Sequence, residues 1–203
     1  MIKLTIIDYK MGNVTSIVNM LNNFSNIKIE LSNDPKTISK SDKLILPGVG
    51  AFGNAMQNIN KFNLIESIND YVDKGNSLLG ICLGMQLLMD SSEEFGNHKG
   101  LGLISGNVKK ISENKDIRLP NVSFYKLDYK KEQNKIQFDN DWFYFVHSYK
   151  CIPKDVNHIS SIINYENNKI VASLKKDNIQ ACQFHPEKSH KAGIDYYKKF
   201  INE

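Results

Sequence analysis

Four short β-branched runs, "KLTIIDY", "IKIEL", "KLILPG" and "SLLGI", recur through the first 81 residues with helix-patterned or turn-rich segments between them. That alternation is the pattern of parallel βαβ units, because a parallel pair needs a long crossover and a helix both makes it and covers the sheet. In the first crossover Val14, Ile17, Val18, Leu21 and Phe24 recur at helical spacing and form one apolar face. "NLIESINDYVDKG" reads as another helix, ended by Gly75, since glycine tolerates the left-handed conformation of a helix C-terminus. "SLLGI" runs into "LGMQLLMDSS", which reads as a helix beginning directly after Cys82.

The C-terminal half has a different character. "GNVKKI", "VSFYKLDY", "WFYFVHSYKCI", "HISSIINYENNKIVASLKKDN" and "IQACQFHP" are rich in β-branched and aromatic residues with turn residues between them, as in antiparallel strands and hairpins. "AGIDYYKKFINE" supplies a closing helix. The expectation is an α/β layered fold whose central, mostly parallel sheet is flanked by helices and carries an antiparallel extension. A chain of 203 residues forms such a core as one domain, residues 1–203.

Composition narrows the function classes. The formal charge is +4, but the lysines are interleaved with acids and asparagines, as in "SENKDIR" and "YKKEQNK", so a nucleic-acid partner is not expected. No apolar run reaches membrane length, and the first residues, "MIKLTIIDYK", are broken by Asp8 with no cleavage site behind them. A cytoplasmic chain with no membrane partner is the reading. The three cysteines, Cys82, Cys151 and Cys182, are too few and too scattered for a disulfide framework or a zinc site, and neither a metal nor a cofactor is expected.

Cys82 stands between Gly80 and Gly84 at a strand-to-helix junction, the cysteine form of a nucleophile elbow. A sharp turn that lifts the nucleophile above the sheet brings the residues two before and two after it together, and only small ones avoid a clash. The following helix aims free N–H groups at the sulfur, which favours the thiolate, and the N–H of Leu83 is a natural oxyanion donor. Alone, the motif also fits a buried cysteine beside a tightly packed helix. The corroborating base lies in "QFHPEKS", where His185 and Glu187 flank Pro186. On an extended backbone they point to the same side, so the carboxylate orients the imidazole, giving a Cys-His-Glu arrangement for acyl transfer through a thioester. A glycine cluster, "LPGVGAFGNAM", lacks the Gly-Lys-Ser/Thr ending of a phosphate loop, but it fits a turn that brings backbone N–H groups to a bound carbonyl.

Together with "DYKMGN", "SSEEFG", "GLGLISGNV" and "YFVHSY", these segments resemble the class I, triad-type glutamine amidotransferases over nearly the whole chain. "FVHSY" and "HPEKS" narrow the likeness to the glutaminase subunits of imidazole glycerol phosphate synthase, and the family implies a flavodoxin-like fold. The resemblance implies that Cys82 attacks the side-chain amide of L-glutamine with His185 and Glu187 completing the triad. It places Gly48, Val49, Gly50, Leu83, Gln86, His147, Ser148 and Tyr149 in the glutamine and oxyanion pocket, with Glu94 a further candidate. It also implies delivery of ammonia to a separate (β/α)8 barrel cyclase in a heterodimer for histidine biosynthesis, because a barrel takes about 250 residues of its own. Asn13, Phe124 and Lys188 are the interface candidates. An isolated subunit of this family is expected to hydrolyse glutamine poorly.

One departure bears on the partner. After "RLP" the family continues with a His-Met-Gly-Trp-Asn type of sequence, whereas this chain has "NVSFYKL". Two alternatives therefore stand: the same chemistry serving a different synthase, such as an acetamidino-sugar amidotransferase of surface polysaccharides, and a non-catalytic regulatory protein on the same scaffold.

Overall fold

The computed structural model describes residues 1–112, 118–130, 141–166 and 168–203. Strands β1 (Ile2–Ile7), β2 (Ile27–Ser32), β3 (Lys43–Leu46) and β4 (Ser77–Ile81) pair in parallel, with β1 between β2 and β3 and with β4 beside β3. Every residue of β3 is buried, as are the last four of β1, because a parallel strand covered by helices has no face left for water.

The crossovers hold α1 (Val14–Leu21), α2 (Pro35–Ser39), α3 (Phe52–Lys61) and α4 (Leu64–Asp73). Asn13 caps α1 by accepting from the Ser16 N–H, and Asp34 caps α2 in the same way through Thr37. Gly75 ends α4 as its position implies. It sits at φ +82°, its N–H donates to the Val72 carbonyl at 2.8 Å, and the Asn76 N–H donates to Tyr71 at 3.3 Å, the two bonds of a Schellman cap. Helix α3 emerges from the glycine-rich "LPGVGAFGNAM", where glycine and asparagine obscure the helical spacing of Phe52, Ala55 and Ile59, which it buries together with Gly53.

Helix α5 (Leu83–Leu87) begins directly after Cys82 but stops short of the stretch expected to be helical through Ser92. The reason is competition for acceptors. The carbonyls of Leu87, Leu88 and Met89 accept from Leu101, Ile104 and Gly102 at 2.8, 2.9 and 3.1 Å, so a returning loop occupies the positions a longer helix would use. Ser91 and Ser92 instead form β5 (Ser91–Ser92), followed by β6 (His98–Lys99) and β7 (Gly106–Lys110).

The second half holds β8 (Asn121–Lys126), β9 (Asp128–Tyr129), β10 (Trp142–His147), β11 (Tyr149–Pro153), β12 (Ile159–Tyr165), β13 (Asn168–Lys176), β14 (Ile179–Cys182) and α6 (His190–Asn202). Antiparallel pairing joins β8 to β10, β7 to β11 and β12 to β13, as the composition suggests. Strand β14 corrects the sequence reading, which grouped it with the antiparallel set. It is antiparallel to β13 but parallel to β4, closing an eight-stranded sheet of order β2-β1-β3-β4-β14-β13-β12-β9. Without it the apolar β4 would be an exposed sheet edge. In this register Cys182 pairs with Ile81, so the next residues, Gln183 and Cys82, leave the sheet side by side at its C-terminal edge.

Two glycines separate backbone strain from close packing. An added Cβ at Gly75 meets nothing within 4 Å and costs only its positive φ, about 1–2 kcal/mol. One at Gly84 strikes the Leu46 carbonyl of β3, and the expected cost rises to about 3 kcal/mol. Urea denaturation of Gly75→Ala and Gly84→Ala compares them; equal losses would contradict the packing account.

Candidate active site

Cys82 joins β4 to α5 at φ +53° and ψ −110°, a backbone region that costs a non-glycine residue about 1–3 kcal/mol. Several bonds hold it there. Its N–H donates to the Cys182 carbonyl at 2.7 Å, and its carbonyl accepts from Met85 at 3.0 Å and from Gln86 at 3.3 Å. The flanking glycines meet: a Cβ at Gly80 would lie 3.0 Å from the Gly84 carbonyl oxygen, the contact that the Gly-x-Cys-x-Gly spacing implies.

His185 is secured by its backbone. Its N–H donates to the Tyr144 carbonyl at 2.9 Å, while the buried Ser189 hydroxyl donates to the His185 carbonyl at 2.6 Å and accepts from the Tyr144 N–H at 3.0 Å. Nδ1 lies 2.7 Å from the Glu187 Oε1, with both side chains almost wholly buried. The route to this contact differs from the expected extended segment. His185 is extended, but Pro186–Lys188 form a 3-10 turn, and Glu187 reaches the ring from within it. Proline's fixed φ and missing N–H suit the first position of such a turn.

Burial works against a charge on His185, but Cys82 and Glu187 outweigh it and raise the imidazole to about 10. The ring is therefore an imidazolium at neutral pH. Since a carboxylate only accepts, Nδ1 donates to Glu187, and Nε2 has no hydrogen-bond partner in the structure.

Both residues line a cavity of about 550 Å³. Val49, Gly50, Leu83, Gln86, His147, Ser148 and Tyr149 line it too, as does Glu94. Gly48 lies behind this wall, so close to its neighbours that a Cβ would come 2.5 Å from the Tyr9 hydroxyl and 2.8 Å from the Leu83 Cβ. Tyr9 donates to the Pro47 carbonyl at 2.6 Å and fixes the loop beneath the elbow. At the first turn of α5, the N–H groups of Leu83 and Gly84 have no intrahelical acceptor by position. Glu94 accepts from the Phe52 N–H at 2.7 Å, capping α3 from 42 residues away. Phe95, Lys110, Pro120 and Val146 complete the wall. Sequence reasoning missed these four, although each stands inside a quoted segment.

Asn13, Phe124 and Lys188 lie outside the cavity. Phe124, 38% exposed, packs edge-on against Tyr144 with centroids 5.4 Å apart, and the Lys188 ammonium sits 5.3 Å over the same ring. Helix α1, capped by Asn13, packs against the turn that carries Lys188. Among the described residues no cluster of His, Cys, Asp or Glu is arranged to hold a metal, and no helix is long and apolar enough to cross a membrane.

A cysteine on a strand-to-helix elbow, a histidine backed by a carboxylate and a shared recess at the C-terminal sheet edge form the arrangement used by thiol-dependent acyl-transfer enzymes. The profile of the family "Glutamine amidotransferase class-I" matches residues 5–203, and the chain belongs to that family. Among curated relatives, the "Imidazole glycerol phosphate synthase subunit HisH" of Prochlorococcus marinus is 41% identical, covering 99% of this chain and 98% of the relative. The "HisH 2" subunit of Methanococcus maripaludis is 43% identical, with 98% and 99% covered. Among solved structures, "PurLQS from Thermotoga maritima" superposes with a TM-score of 0.75 at 15% identity over 100% of this chain and 99% of that one. A crystal structure of a glutamine amidotransferase gives 0.72 at 14% identity, covering 98% and 97%. Likeness at such identity concerns the fold.

Because folding raises the His185 pKa from 6.5 to about 10, protonation stabilises the native state. That contribution is complete below pH 6.5 and is lost as pH rises through 10. The stability advantage of the parent over His185→Gln is expected to shrink across that window in urea titrations at stepped pH. An advantage that grows with pH would contradict the charged pair.

Proposed function

We propose that the chain is the glutaminase subunit of an imidazole glycerol phosphate synthase, working in the cytoplasm as a single domain. It hydrolyses L-glutamine and passes the ammonia to a separate cyclase subunit, a (β/α)8 barrel bound as a heterodimer, in histidine biosynthesis. The observation that carries the chemistry is one cavity lined by both Cys82 and His185, whose Nε2 is unbonded while Glu187 holds the opposite nitrogen.

The Cys82 thiolate attacks the carboxamide carbon of glutamine, and the oxyanion is received by the Leu83 N–H and the Gly48–Gly50 loop. Collapse breaks the C–N bond as His185 gives its Nε2 proton to the leaving nitrogen, releasing ammonia and leaving a γ-glutamyl thioester. Water then attacks the thioester, its proton returns to His185, and the thiolate departs from glutamate. Glu187 keeps the ring oriented and balances its charge throughout. Gln86, His147, Ser148 and Tyr149 hold the remainder of the substrate, while Asn13, Phe124 and Lys188 face the partner.

Identity of about 40% over nearly the full length of the HisH subunits supports the histidine-pathway recipient. The "NVSFYKL" departure favours a second recipient, an acetamidino-sugar synthase. Glutamate release with each purified synthase separates them. The histidine-pathway cyclase is expected to activate a subunit that is slow alone, and activation only by the sugar enzyme would overturn the assignment. Cys82→Ala is expected to lower the activated rate by about 10⁴-fold or more, since members of such a triad act as a unit. An undiminished rate would leave a binding role instead.

A further inference from the structure

We propose that Gln183 is a further catalytic residue, whose side-chain N–H donates to the Cys82 sulfur and holds it as an aimed thiolate. The inference rests on Cys82 being the nucleophile. Gln183 has 0% exposure, and its Nε2 lies 3.7 Å from the Cys82 Sγ. The two residues follow paired positions of β14 and β4, so the sheet register itself sets them side by side.

The orientation of the Gln183 amide is dictated by its neighbours. The Tyr149 carbonyl only accepts, so His147 Nδ1–H donates to it at 2.8 Å and Gln86 Nε2–H at 3.3 Å. With its nitrogen so fixed, Gln86 gives its other hydrogen to Gln183 Oε1 at 3.0 Å. Only Nε2 of Gln183 is then left to face the sulfur. A flipped amide would set nitrogen against nitrogen on one side and oxygen against a thiolate on the other.

The same chain of bonds extends outward. Burial pushes His147 down to about 4, so it is neutral and its Nε2 accepts from Asn121 Nδ2 at 3.4 Å. Asn121 Oδ1 in turn accepts from the Tyr125 hydroxyl at 2.8 Å. A continuous polar chain thus runs from β8 to the nucleophile, with Gln183 as its last donor.

The other titratable groups around the sulfur leave this donor a distinct task. Tyr9, Cys151 and Cys182 are all pushed upward by burial and are uncharged near neutral pH. His185, with Glu187 behind it, is the neighbouring cation, and its proton is committed to the leaving group. Gln183 has no proton to transfer. It stabilises the sulfur anion before attack and again when the thioester breaks, and the bond weakens only while the sulfur is acylated.

The test is alkylation of Cys82 by iodoacetamide in the folded chain, followed across pH by mass spectrometry. Cys151 and Cys182, no more than 2% exposed, serve as unreactive controls. Gln183→Met keeps length and removes the donor, while Gln183→Glu keeps shape and the oxygen that faces Gln86. The alkylation rate of Cys82 at a given pH is expected to fall about tenfold in Gln183→Met, and further in Gln183→Glu, which sets a carboxylate against the sulfur. Unchanged profiles in variants that retain the parent's urea midpoint would overturn the proposal. Failure of Cys82 to react in the parent would instead overturn its assignment as nucleophile.

Discussion

The parallel pairing of β14 with β4 is the contact on which the site depends. The two strands are distant in sequence, yet their register brings Cys182 opposite Ile81 and delivers Cys82 and the segment Gln183–His185 to one sheet edge. A slip of one residue would reverse which face each side chain meets, and the histidine would leave the cavity. That register is held by burial, since Ile179, Ala181 and Cys182 fill the seat beside β4 between two helical layers.

Around this pairing the protein carries two costs in the same place. Cys82 occupies a strained backbone conformation, and His185 holds a charge almost out of reach of water. Each persists because its surroundings over-determine it. Backbone bonds grip the elbow on both sides, and the imidazolium is matched by a carboxylate and faced by the cysteine. Loss of one partner is expected to be more damaging than the pair's net contribution to stability, because the remaining charge stays buried.

Strand β8 serves two faces at once. Strand alternation in β8 turns Asn121 and Tyr125 inward, where they join the polar chain behind Cys82, and turns Val122 and Phe124 outward, Phe124 lying beside Tyr144 and His190. A substitution there alters the exposed face and the setting of Cys82 together. Tyr144 lies at the junction, since its backbone holds His185 while its ring meets Phe124 and Lys188.

The sequence by itself determined the parallel core, the elbow and the Cys-His-Glu pattern, because each rests on local chemistry: strand and helix periodicity, glycines flanking Cys82, and a carboxylate two residues beyond His185. It obscured α3, whose glycine and asparagines carry little helical signal, and it overextended α5, whose last carbonyls accept instead from the N–H groups of Leu101, Gly102 and Ile104. The polar chain through Gln183 was equally out of reach, although its residues stand in quoted motifs. Only the tertiary structure decided that β14 lies parallel to β4, because long-range pairing is chosen by which buried edge needs a neighbour, and nothing local to "IQACQFHP" records that choice.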